Sequence, residues 1–187
     1  MSVLALTSVR PRRLLYCPSR LLSYHHQLPY DADMVHERLR FALEQLTSGD
    51  WQLFERFCSE FLVAEFPEIR TTATRSGDKG RDGELFSLTG VSETGFQYSV
   101  AADWNAKIRA TVRTIADNEL DYRRLIYCTS QQIGARSDEL KRELWESHQL
   151  LLDVRDREWF CERELTTPER EVAAADLCKR IVDPITT

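Results

Sequence analysis

Ser76-Gly77-Asp78-Lys79-Gly80-Arg81-Asp82-Gly83-Glu84-Leu85-Phe86, followed a short loop later by Phe96-Gln97-Tyr98-Ser99-Val100, is the stretch that decides how this chain reads. The first part is a glycine-spaced acidic turn running into a strand. The second is another strand with polar side chains at alternate positions. Side chains on a strand alternate between faces, so an aspartate at the root of one strand and a polar residue on its neighbour can meet on one sheet face. Clustered oxygen ligands on adjacent strands suit a hard divalent cation such as Mg²⁺. The glycine-spaced acidic turn is not an EF-hand loop, because its third position is Gly80 and its twelfth is Thr89 rather than glutamate.

Working outward, the flanks give helices and further strands. Leu39, Ala42, Leu43 and Leu46 fall on one helical face from Met34 onward. Ser48-Gly49-Asp50 breaks that helix, and Asp50 is placed to cap the next. Trp51, Phe54, Phe57, Cys58, Phe61 and Leu62 form an amphipathic stripe to about Glu65, and Pro67 ends it. Threonine-rich Ile69 to Arg75 reads as a strand, Glu84 to Leu88 as a second and Phe96 to Val100 as a third, the last two joined by a Gly90–Gly95 hairpin loop. Asp103 caps a long helix with Trp104, Ile108, Val112, Ile115 and Ala116 on one side. Leu125-Ile126-Tyr127-Cys128 and Leu150-Leu151-Leu152-Asp153-Val154 read as buried strands separated by a helix over Gly134–His148. Trp159 and Phe160 sit in a short helix. A last helix starts at Thr167-Pro168-Glu169, with cap, N1 proline and acidic first turn, and runs to about Val182.

The length of 187 residues suits one domain with a real core. No apolar run approaches the ~20 residues of a membrane span. A formal charge of −5 gives no global pull toward nucleic acid, so any such contact rests on a local basic patch. The five cysteines are odd in number and include no Cys-x-x-Cys pair, which argues against a zinc site and a disulfide scaffold and for reduced, mostly buried thiols in a cytosolic protein. Residues 1–33 differ from the rest. Arg10, Arg12, Arg13 and Arg20 meet no acidic residue before Asp31. The segment reads as a disordered arm or as an untranslated stretch before a start at Met34. The remainder divides into a domain over 34–165 and a C-terminal helix over 166–187, a junction to a further domain.

The order helix, helix, three antiparallel strands, helix, strand, helix, strand, helix, together with the motif residues, resembles the PD-(D/E)XK restriction-endonuclease-like superfamily, nearest its type IV (Mrr-like) branch. The resemblance spans roughly Trp51 to Phe160. It implies an α/β, three-layer fold whose central mixed sheet has three antiparallel strands then two more, flanked by helices. It implies that Glu55 is the helix glutamate, that Gly80-Arg81-Asp82 supplies the metal-binding aspartate, and that Gln97 stands at the polar strand position. Ser99 occupies the place of the motif lysine. Some members carry that lysine on the following helix, where Lys107 lies; Lys79 is the weaker substitute. On this reading Asp82, Gln97 and the Tyr98 carbonyl bind Mg²⁺ or Mn²⁺, Glu55 holds a metal-bound water or a second ion, and Lys107 positions the nucleophile. Arg75, Lys79, Arg81, Arg109 and Arg113 contact phosphates from the rim. The implied function is hydrolysis of DNA in a cytoplasmic restriction or antiviral defence. The alternative is a decayed nuclease-fold module that binds nucleic acid or a partner protein. The resemblance admits a homodimer and an ATPase or sensor partner, with no membrane association.

Overall fold

A computed structural model of the chain describes residues 32–71, 83–85 and 93–186. Helix α1 (Ala32–Gln45) buries Leu39, Ala42 and Leu43, the face its apolar spacing predicts. Asp50, expected to cap the next helix, instead closes the turn before it: its Oδ2 accepts from Thr47 N–H at 2.9 Å while Thr47 Oγ1 accepts from Gly49 N–H. Helix α2 (Trp51–Leu62) then buries Phe54, Phe57, Cys58, Phe61 and Leu62. That spacing of three and four is the signature of a helix with one face in the core.

Five strands follow in spatial order β1 to β5: β1 (Ile69–Thr71), β2 (Gly83–Leu85), β3 (Thr94–Ser99), β4 (Arg124–Thr129) and β5 (Leu151–Arg155). Between them lie α3 (Trp104–Asp117) and α4 (Asp138–His148); α5 (Arg157–Cys161), α6 (Pro168–Ile181) and α7 (Asp183–Thr186) complete the chain.

The expected sheet of three antiparallel strands with two appended is corrected here. The fold is α/β, about 60% of the described residues are helical, and the body of the sheet is three parallel strands. β3 pairs parallel with β4 along its whole length, from Thr94 opposite Arg124 to Ser99 opposite Thr129. β4 pairs parallel with β5 from Arg124 opposite Leu151 to Cys128 opposite Arg155. Antiparallel pairing is confined to one edge, where β1 and β2 are each 3 residues long. Glycine explains part of this. Each β2–β3 pair contains one glycine, Gly83 opposite Phe96 and Gly95 opposite Glu84, so neither pair can stack two side chains across the strands. Gly95 cannot be enlarged, because an added Cβ would fall 2.9 Å from the Tyr122 ring.

Helices cover both faces of the parallel strands. On one face α1, α2, α5 and α6 pack on Phe96, Tyr98, Ile126 and Cys128. Phe160 sits at the centre of that layer, with its ring centroid 5.1 Å from those of both Phe57 and Phe61. On the other face, α3 and α4 cover Leu125, Tyr127 and Leu152 with Ile108, Val112, Leu140 and Leu144. The middle of β4, Leu125 to Cys128, is apolar on both faces for this reason, whereas β5 is apolar on the face of Leu152 and Val154 and carries Asp153 and Arg155 on the other. α6 is part of the first layer, burying Ala173, Ala174, Leu177 and Cys178. Cys58, Cys128, Cys161 and Cys178 are buried thiols. Burial pushes the Cys161 thiol up to about 12, so it behaves as an inert apolar group.

One buried acid ties α1 to the turn before α6. Glu164 is 3% exposed, and its Oε2 lies 3.3 Å from His36 Nδ1. Burial pushes the Glu164 carboxyl up from 4.5 to about 6, against the opposing pull of His36. A folded-state pKa above the unfolded one means the folded protein holds the proton more tightly. The resulting stability is full below the ordinary carboxylate value and is lost as pH rises through about 6. From pH 4.5 to 7 the stability of the native chain relative to Glu164→Gln should fall by about 2 kcal/mol, measured as the difference between their urea midpoints. A flat difference over that range would show that the carboxyl ionises as easily folded as unfolded.

Candidate functional site

β3 and α3 carry Gln97, Tyr98, Lys107, Arg109 and Arg113 of the candidate residues, and α2 carries Glu55. Phe96 and Tyr98 point into the layer beneath α2, so Gln97, by strand alternation, points to the α3 face. Gln97 is 3% exposed there. The Thr111 hydroxyl of α3 lies 2.9 Å from Gln97 Oε1 and 3.0 Å from the Lys107 carbonyl, within reach of both with its single proton. Gln97 Nε2 donates to the Tyr98 carbonyl at 3.1 Å. Donated to Gln97 Oε1, the Thr111 proton joins α3 to β3 one turn beyond Lys107.

Thr111 did not stand out in the sequence. The signal was available, since it lies between Ile108 and Ile115 on the helical stripe expected to face the sheet. A hydroxyl within a buried stripe needs a partner, and the polar Gln97 on the facing strand is that partner.

Ser99, at the position where the resembled family has lysine, has a structural task. Its Oγ accepts from Ala101 N–H at 3.2 Å and shapes the turn out of β3. Asp103 then caps α3 by accepting from Ala106 N–H at 3.0 Å. Its carboxylate is spent on the helix end, and Lys107, exposed one turn on, makes no ion pair with a described residue. A cation on the first turn of a helix is not there for the macrodipole, which favours anions at that end.

The basic rim is uneven. Arg109 is gripped by Glu143, with Nη1 and Nη2 at 2.5 and 2.7 Å from its two oxygens, and its Nε donates to Asn105 Oδ1 at 2.9 Å. That pairing holds the Glu143 carboxyl below its usual range. Arg113 is exposed. Arg75, Lys79, Arg81 and Asp82 lie outside the described residues. Glu55 is half-buried on α2, on the opposite sheet face from Gln97, and the described structure does not join the two.

The nearest described point to Asp82 is Gly83, which follows it in the chain. Gly83 is registered opposite Phe96, the residue before Gln97. The first described residue of β2 thus lies beside the middle of β3. Among the described residues no group of three His, Cys, Asp or Glu is placed to hold a metal ion. The Gln97 amide oxygen and the Tyr98 carbonyl are neutral oxygen donors, and each already accepts a hydrogen bond. As neutral hard donors they fit Mg²⁺, which also requires a carboxylate. Among the described residues no helix is long and apolar enough to cross a membrane. No known family, characterised protein or solved structure matches the chain.

Proposed function

We propose that this chain is a divalent-metal-dependent nuclease that hydrolyses DNA phosphodiester bonds, of the type IV restriction class it resembles, acting in cytoplasmic defence. The observation that carries this reading is the β2–β3 pairing. Gly83, the residue after Asp82 in the chain, is registered opposite Phe96, the residue before Gln97, and this supports a site shared by the two motifs. On this reading Asp82, Gln97 and the Tyr98 carbonyl hold the metal. When bound, that ion would supply charge to polarise a phosphoryl oxygen and lower the pKa of water. Lys107 takes the charge-stabilising place vacated at Ser99. Thr111, one turn beyond Lys107, joins α3 to Gln97. Arg113 offers an exposed phosphate contact, while Arg109 is already neutralised by Glu143.

A specific observation favours a second reading. Both ends of the Gln97 amide are used internally, as expected of a structural strand residue in a non-catalytic module that binds nucleic acid or a protein. Plasmid cleavage separates the two. Nicking of supercoiled DNA with Mg²⁺ or Mn²⁺, abolished by chelation, is the expected result. DNA retention in a gel-shift assay, with no cleavage under either metal, would establish the binding module instead.

A further inference from the structure

A groove of about 580 Å³ runs between α2 and α6 on the outer side of the helical layer. Its walls are mainly apolar, with Val63, Pro168, Val172 and Ala173 among its lining residues. Val172 is 68% exposed and Val63 is 39% exposed. Apolar surface collected in a groove is a feature that a lone monomer gains nothing from.

The charge pattern along α6 says what fits. Glu169, Val172, Asp176 and Lys179 are spaced three, four and three residues apart, so they form one stripe along the helix. The stripe is acidic at its start and basic at its end, as α6 is overall: Glu169 and Glu171 occupy the first turn, Lys179 and Arg180 the last. Its middle is electrically quiet. Asp176 accepts from Arg180 Nε at 2.8 Å and lies 3.9 Å from Arg56 Nη2.

This stripe is complementary to itself reversed. A two-fold axis midway between Val172 and Asp176 sets Glu169 of one copy opposite Lys179 of the other, twice, and carries each Val172 onto the neutralised Asp176 region. The same operation runs the two helix dipoles antiparallel. An isologous contact must be self-complementary in this way.

We propose that the α2–α6 groove is the contact between two copies of this chain, packed with their α6 helices antiparallel about a two-fold axis. The inference is independent of catalysis, because the stripe lies on the helical layer and not at β3 or α3.

Sedimentation of the full chain over a range of concentrations tests it. The native chain should show a monomer–dimer equilibrium. Val172→Glu should weaken it about tenfold or more, by placing a charge at the contact's centre. Glu169→Lys should weaken it severalfold, by facing lysine with lysine. Adding Lys179→Glu to Glu169→Lys should restore the affinity to within about twofold of native. Both positions are exposed, so circular dichroism should match the native chain. A monomer at every concentration overturns the proposal and leaves the groove to another occupant, such as the chain's own residues 1–31. A dimer indifferent to Val172→Glu and to Glu169→Lys also overturns it.

Discussion

Glu65→Ala should destabilise the fold by about 3 kcal/mol, although Glu65 lies on no strand or helix and its side chain is 36% exposed. The cause is what it leaves behind. Arg155, on β5, is 3% exposed in its side chain and gives Glu65 a bidentate pair, at 2.6 and 2.8 Å. The Arg155 guanidinium carbon sits 4.5 Å from the Trp159 ring centroid and 5.2 Å from that of Phe66, so the ion is walled by aromatic carbon. Asp153 at 3.4 Å is a weaker second anion, already engaged by Arg124. Without Glu65 the cation stays buried with too little counter-charge, and Arg170, whose Nη2 is 3.7 Å from Glu65, adds a like charge nearby. Arg155→Met should cost less. It removes the buried ion itself, keeps apolar volume, and leaves Glu65 able to turn to water. The double variant should therefore lose less than the sum of the singles. Guanidinium titration with unchanged slope reads all three values. Equal losses for Glu65→Ala and Arg155→Met would show that the pair acts by direct attraction and not through the stranded charge.

The pair also shows where the sequence stops being legible. Glu65 and Arg155 are 90 residues apart, and no local period links them. By contrast, Phe54, Phe57, Cys58, Phe61 and Leu62 announce α2 unaided, because a helix repeats its buried face every three or four residues. Leu125 to Cys128 likewise announces a strand covered on both faces. Of the strand expected over Ile69 to Arg75, Ile69–Thr71 pairs antiparallel with Leu85–Gly83, as threonine-rich β propensity leads one to expect, and residues 72–75 lie outside the described residues. At the site, the positions of Gln97 and Lys107 followed from the strand–helix order. Their connection through Thr111 did not, since it depends on how α3 lies across β3. Glu55 was assigned by resemblance, and Asp82, the carboxylate it would join, lies outside the described residues.

Lys107→Ala should lower metal-dependent DNA cleavage by about 10²-fold or more while leaving the fold intact. Stability is expected to stay within about 0.5 kcal/mol, because Lys107 is exposed and carries no ion pair with a described residue. The rate effect follows from position. α3 starts immediately after the turn that Ser99 and Asp103 shape, and Thr111, one turn beyond Lys107, donates to the side chain of Gln97. The proposed role puts the ammonium, on its flexible stem, at the phosphate beside the end of β3. Arg109, two residues on, makes the contrast. Its charge is already matched by Glu143, so Arg109→Ala should cost cleavage far less. Asp82→Ala should match or exceed the Lys107 loss and should abolish Mn²⁺ binding by calorimetry. Lys107→Ala should leave that binding in place, because ammonium is no ligand. Single-turnover plasmid cleavage with each variant separates the roles. If Lys107→Ala cuts like the native chain while Asp82→Ala does not, the charge at the phosphate comes from elsewhere. Lys79→Ala is then the variant that must fail, because Lys79 is the lysine of the acidic motif itself.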